Sequence, residues 1–402
     1  MENILLCQAK FSSPFYLRIK RLNDTIPATK TFPDMPLNRL APLFPISAMI
    51  CSVGLSSCDF FAAITPLPEL ESWIEPDCKS DEGLNTMAEL EKHYNAYLAG
   101  EEDLRDFHYL SAVATSAYHE KRGDDMLPVL QALVSAGADV DATDAQGDTA
   151  LHIAALAGAE KSVAWLLEQG LSLQLRDSLG RTPAMFAAWG GKLDLLKTLA
   201  PTAADLQAKD NMGQGLHIYA AHGGNLACLE YVQQQGLNVA ETSGTGLSAA
   251  HAAAYSGSLD CLNYALQQGC NMHAVDNTGV TTLMYAAWGG KGLMIKHLLA
   301  NGANAQTCAQ DGTTAMHHAA FSGQVDALRS LLAAGADINA VTKDRETPLM
   351  VAVTCGHTEA VRFLLANGAD SDIRDANGLT ASQRALRQAK QGLKETLREV
   401  AK

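Results

Sequence analysis

Asp144-Ala-Gln-Gly-Asp-Thr-Ala-Leu-His-Ile-Ala-Ala-Leu-Ala-Gly158 is the stretch whose reading decides the fold. Asp144 to Gly147 reads as a turn, because a short carboxylate bonds its own backbone and glycine permits positive φ. Thr149 then caps a short helix with Leu151, Ala154 and Ala155 along its packing side, and Gly158 ends it. A second helix follows, with Val163, Leu166 and Leu167 at helical spacing and Gly170 near its C-terminus. The turn glycine returns at a step of 33 residues, as Gly180, Gly213, Gly246, Gly279, Gly312 and, past Arg345, Gly378. The second-helix glycine keeps the same step at Gly137, Gly170, Gly236, Gly269, Gly302, Gly335 and Gly368, broken by Ala203. Two registers with one period of this size predict stacked repeats. The Ala154-Ala155 pair recurs through Ala319-Ala320, so neighbouring helices can approach closely. One such unit has too little apolar area to offset its chain entropy; stacking supplies the shared core.

The pattern Asp-x-x-Gly-x-Thr-x-Leu-His-x-Ala-Ala-x-x-Gly over 144–158 resembles the ankyrin repeat. So do Gly180-Arg-Thr-Pro183 and the Gly-Ala-Asp triplets at Gly137, Gly335 and Gly368. The resemblance implies an all-α solenoid, each unit a β-turn or hairpin followed by two antiparallel helices. Seven 33-residue units fit, 144–176, 177–209, 210–242, 243–275, 276–308, 309–341 and 342–374, with capping units at 84–143 and 375–402. Two junctions depart from the pattern: Gly215 stands where Thr is expected with His217 one place early, and Ala203 follows Pro201.

The net charge of −14 argues against nucleic acid as the main partner, since phosphate binding needs a basic face. A local exception is the C-terminal helix, with Arg384, Arg387 and Lys390 beside a stripe including Leu386, Leu393 and Leu397; it reads as a polar-faced cap. Nine cysteines include no Cys-x-x-Cys pair, so no zinc spacing is present. Cys228 and Cys261 share one repeat position, too far apart for a disulfide at the usual spacing of packed helices.

Residues 1–83 read as a poorly structured leader and linker. The uncharged run Leu40 to Cys58, preceded by Met35 and Arg39, ends Leu-Ser-Ser-Cys58 and resembles the lipobox of bacterial lipoproteins. On that reading Cys58 carries lipid, translation starts at Met35 or follows a long leader, and the repeats act as a tethered envelope adaptor. Pro42 and Pro45 favour the other reading, an apolar segment that docks on the repeats. A catalytic use of residues 1–110 would need His93 or His108 joined to an acid in a pocket.

For function, the residue after each Ala-Ala pair reads Leu156, Trp189, His222, Tyr255, Trp288, Phe321, Thr354. Three residues earlier stand Ile153, Phe186, Tyr219, Ala252, Tyr285, His318, Val351. An i,i+3 pair shares a helix face, so the middle units carry an aromatic ladder. In the ankyrin family that position resembles the one lining the concave groove, and the small residues after it (Gly190, Gly223, Ser256, Gly289, Ser322) are expected to leave the rings accessible. The alternative is that the rings pack between neighbouring helices. Arg181, Gln214, Asp311, Lys343 and Asp344 at the turn tips supply the polar rim of such a groove. His152, His251 and His317 share one position and are expected to bond the turns rather than ligate metal. The expectation is a monomeric, non-catalytic scaffold without cofactor or metal that binds a partner polypeptide, inside the cell or delivered by secretion.

Overall fold

The computed structural model describes residues 126–387 apart from 136, 137 and 145. The leader, linker and lipobox-like Cys58, the N-terminal cap up to residue 125, Gly137 and the C-terminal helix beyond Arg387 lie outside these residues. The described chain is helical, with isolated β-bridges and no strand. It falls into two arrays, 126–244 and 245–387.

In the first array α1 (Met126–Ser135) precedes the pairs α2 (Ala150–Ala157) with α3 (Glu160–Glu168), and α4 (Pro183–Trp189) with α5 (Leu193–Leu199). A four-residue helix α6 (Ala203–Leu206) and the pair α7 (Leu216–His222) with α8 (Leu226–Gln234) complete it. The second array holds the pairs α9 (Ala249–Ser256) and α10 (Leu259–Gln267), α11 (Thr282–Trp288) and α12 (Gly292–Ala300), α13 (Ala315–Ser322) and α14 (Val325–Ala333), and α15 (Pro348–Cys355) and α16 (Thr358–Ala366). It ends on α17 (Ala381–Arg387). First helices pack on first helices: α4 on α2 and α7, and α11 on α9 and α13. The second helices form the other layer, each burying an edge such as Leu166, Leu229, Leu262, Ile295, Leu331 and Leu364. Each such side chain contributes roughly 1.5–3 kcal/mol by leaving water.

The turns are built as the sequence predicts. Asp177 Oδ1 accepts the N–H groups of Leu179 and Arg181 at 2.9 and 2.7 Å. Asp210, Asp276 and Asp375 do the same two and four residues on. Consecutive turns are joined by one backbone bond each: Ser178 N to Gln146 O at 3.0 Å and Asn211 N to Leu179 O at 2.9 Å in the first array. In the second, Gln310 N reaches Thr278 O at 2.9 Å and Lys343 N reaches Asp311 O at 2.8 Å. Where Arg345 replaces the turn glycine its φ is +57°, a conformation costing a side-chain-bearing residue roughly 1–2 kcal/mol.

The Ala-Ala pairs are fully buried, and the glycines after the first helices explain how closely these helices sit. A Cβ on Gly190 would stand 2.2 Å from the Leu156 carbonyl oxygen, and one on Gly289 2.1 Å from that of Tyr255. These glycines have ordinary helical φ, so it is the approach of a neighbouring backbone that excludes a side chain.

The irregular junctions are where the sequence put them. Helix α5 stops at Leu199, and Thr202 starts the extra turn α6 by accepting from Asp205 N at 3.2 Å. At the other junction Gly215 caps α7 without a side chain, yet His217 still reaches the next turn through Nε2 to Glu241 O at 3.0 Å.

The histidines bond the turns, as expected. His152 Nδ1 accepts the Thr149 N–H at 3.2 Å, so the ring proton sits on Nε2, which donates to Arg181 O at 3.2 Å. His251 and His317 repeat this between Ser248 and Ala274 O, and between Thr314 and Glu346 O. Burial, and then the positive Arg181 nearby, holds His152 down to about 4; burial holds His317 at about 4 and lowers His251.

Two outcomes follow. Gly289→Ala should cost about 1–3 kcal/mol in denaturant unfolding by forcing the helices apart. Gly292→Ala, whose Cβ would meet nothing closer than 3.4 Å, should be neutral. Between the usual histidine range and the folded value of about 4, the unfolded chain binds more protons than the folded one. Stability is therefore complete above about pH 6.5 and is lost as the pH falls toward 4. Melting temperature measured across that window should fall with pH, and His317→Gln should flatten the slope.

Candidate functional site

The aromatic rows run along the first helices, but most of their rings are interior. Phe186, Tyr219, Tyr255, Tyr285 and Trp288 are buried, the last at 5% exposure. The expectation of an open ladder is corrected for these five. Two physical causes are visible. The small residues that follow the second aromatic do not uncover it; they let the next helix close over it, and Ser322 Oγ even donates across to Ala287 O at 3.1 Å. The earlier row has a further task at the turns. Tyr219 and Tyr285 each stand nine residues after a turn aspartate and donate a hydroxyl to it, to Asp210 Oδ2 at 2.7 Å and Asp276 Oδ2 at 2.9 Å. Burial, and then the carboxylate beside each, pushes both phenols well up, so they stay neutral donors.

Phe186 holds the same place after Asp177 but has no hydroxyl, and Arg181 takes over the bond. Its guanidinium pairs with Asp177, lies 3.5 Å from Asp148 and covers the Phe186 ring at 4.6 Å. Burial opposes the charge, and Asp177 and Asp148 together outweigh it, so Arg181 stays firmly protonated. Asp148 is itself pushed well up by burial, against the pull of Arg181. Arg181 is thus an interior tie between two turns and not a rim residue. Gln214 is also buried, its N–H given to Asp210 Oδ1 at 2.8 Å. Both corrections share one position: each residue stands four places after a turn aspartate, where the side chain is buried, as Asp148 is in the preceding turn.

Part of the expected surface is open. In the first array Trp189 and His222 are half-buried, their rings edge to face at 5.6 Å. In the second array Phe321, Asp311 and Asp344 are half-buried and Lys343 is exposed. Trp288 differs from Trp189 at the same repeat position, being wedged between Tyr255 at 5.4 Å and His318 at 6.1 Å.

Sequence reasoning missed a second interior arginine. Arg384, read as part of a solvated basic face, is buried and donates to Asp375 Oδ2 at 2.5 Å and Glu346 Oε1 at 2.6 Å. Its spacing carried the signal, because it stands nine residues after Asp375, as the two tyrosines stand after their aspartates. Cys228 and Cys261 are buried and form no disulfide. Among the described residues no group of three His, Cys, Asp or Glu is placed to hold a metal ion. No helix among them is long and apolar enough to cross a membrane.

The family model for ankyrin repeats in three copies matches residues 118–210, 216–306, 283–375 and 334–397. No curated protein matches the chain. The match spans more than half of the sequence and coincides with the turn, helix and turn-to-turn bonding found in both arrays, and the chain belongs to the ankyrin-repeat family.

Proposed function

We propose that this chain is a non-catalytic protein-interaction scaffold, with units spanning 144–374 and capping segments at 84–143 and 375–402. Ankyrin repeats are generally protein–protein interaction modules, and the family is typically non-enzymatic. The observation that carries the reading is how the polar chemistry is distributed. The turn aspartates, the shared-position histidines, the two interior arginines and two tyrosines are committed to one another. What faces outward is recognition chemistry: an aromatic edge beside charged turn tips. Trp189 and His222 offer the edge in the first array. In the second, Phe321 does so, with Asp311, Lys343 and Asp344 as the polar rim. Half-buried aromatics concentrate binding energy because they are already held in one rotamer. A polypeptide segment is the occupant such surfaces suit.

Capture by cross-linking from the producing cells tests this. Trp189→Ala and the triple variant Asp311→Ala, Lys343→Ala, Asp344→Ala should each lose a partner that the unaltered chain retains, by ten-fold or more. The triple variant should melt slightly below the parent, a loss of about 1 kcal/mol, because Asp311 Oδ1 also accepts the Thr313 N–H at 2.9 Å and its hydroxyl at 2.6 Å. Trp288→Ala is the contrasting case: removing a sealed ring should cost about 3–5 kcal/mol of stability. Retained capture by both surface variants would end the proposal.

A further inference from the structure

The second helices open on a recurring pair of residues. The first is a half-buried apolar side chain at Leu193, Leu226, Leu259 and Val325. The next is an exposed acid at Asp194, Asp260, Asp326 and Glu359. Helix α12 departs from this order. Gly292 comes first and Leu293 second, so the apolar side chain leaves its half-buried place and stands 76% exposed. A single leucine on a surface is ordinary. This one is accompanied by a notch and by unmatched charges.

Nothing local calls for glycine at 292. Its φ is not positive, and a Cβ there would meet no atom closer than 3.4 Å. Gly292 therefore leaves a shallow notch directly beside the protruding Leu293.

The charges follow from the same departure. In α5, α14 and α16 the acid pairs with a cation three residues on: Asp194 with Lys197 at 3.5 Å, Asp326 with Arg329 at 4.0 Å and Glu359 with Arg362 at 3.7 Å. In α12 the cation Lys296 is present, but Leu293 has taken the place of its acid. In α10 the acid Asp260 is present, but Asn263 has taken the place of its cation. Both charges are exposed, and among the described residues neither has an ion-pair partner. Lys197 and Arg329 also lie over a ring of the next unit, Tyr231 at 5.9 Å and Phe363 at 5.2 Å. At the matching place for Lys296 stands buried Ser330, whose hydroxyl donates to Asp326 O at 2.7 Å.

Residues three apart share a helix face, so Leu293 and Lys296 look outward together, as Asp260 and Asn263 do one helix away. This face carries a knob and a notch, and an unpaired cation and an unpaired acid. A surface with both halves of each complement is what an isologous contact requires, since residue i meets j while j meets i. A partner of one charge sign would leave either Lys296 or Asp260 unmatched.

We propose that the chain forms a two-fold dimer through the outer faces of α10 and α12. Leu293 of each copy seats beside Gly292 of the other, and Lys296 of each pairs with Asp260 of the other. A dimer replaces the monomer expected from the sequence. The contact goes beyond the scaffold reading and uses none of the residues of the Trp189 and Phe321 edges or the turn tips, so either can fail without the other.

The test uses the full chain in sedimentation velocity over about 1–100 μM, where the parent should pass from monomer to dimer. Gly292→Leu with Leu293→Asp gives α12 the opening order of α10. This double variant should weaken association ten-fold or more. At the lowest concentration, where both are monomeric, its melting temperature should match that of the parent. Lys296→Asp should also weaken association, and Lys296→Asp with Asp260→Lys should restore it. A photo-cross-linker at exposed Asn263, in a mixture of isotopically light and heavy chains, should join light to heavy through peptides from 259–300. A parent that stays monomeric throughout overturns the proposal, as does a double variant that dimerises like the parent. So do a charge exchange that restores nothing and cross-links confined to single chains.

Discussion

A carboxylate accepting two backbone N–H groups is the constraint on which the rest of this molecule depends. In each such turn Asp Oδ1 holds the N–H groups two and four residues ahead, as Asp210 does with Met212 and Gln214 at 2.8 Å. This fixes the turn. The fixed turn offers one carbonyl and one N–H to its neighbours, and the neighbours bond there at 2.8–3.0 Å within each array. The second carboxylate oxygen is left facing the interior, where it needs a donor. Tyr219, Tyr285, Arg181 and Arg384 are four answers to that single requirement.

That requirement accounts for the location of the aromatic residues. A tyrosine that must reach a buried carboxylate cannot also face a groove. Its ring fills the space between first helices, and the second aromatic row packs against it, as Trp288 does on Tyr285 at 6.1 Å. Closing that space requires helices near enough that Gly190, Gly223 and Gly289 have carbonyl oxygens where a Cβ would stand. Packing at this distance tolerates no added methyl group.

The interior is consequently polar in a controlled way. His152, His251, His317, Tyr219 and Tyr285 and the paired Arg181 and Arg384 are hydrogen-bonded, which is the condition for burying such groups without large cost. Where such a bond joins one unit to the next, as His152 does to Arg181 O and Arg384 to Glu346, loss of one member weakens two units, and stability within an array is a property of neighbours. The same economy leaves an outward position free to vary from unit to unit, for at one step of 33 stand the exposed Arg176, Lys209, Thr242, Val275, Cys308, Val341 and Arg374.

The sequence by itself determined the repeat. The period of 33, the turn Asp and Gly, the capping Thr149 and the paired alanines are local signals, each tied to the conformation of a few consecutive residues. It also located the broken places at Ala203 and Gly215, since a missing residue in a period is as legible as a present one. Only the tertiary structure decided which side of a first helix is open. Helical spacing says that Tyr285 and Trp288 share a face, but not how near the next backbone stands to that face. That distance is set by residues 33 positions away, and it sealed Tyr255 and Trp288 while leaving Trp189 and Phe321 half-open. Arg181 and Arg384 were hidden for the same reason. A charged residue in a sequence reads as solvated, and only the position of a partner carboxylate, across the turn for Arg181 and across the packed repeats for Arg384, makes burial the more stable place for it.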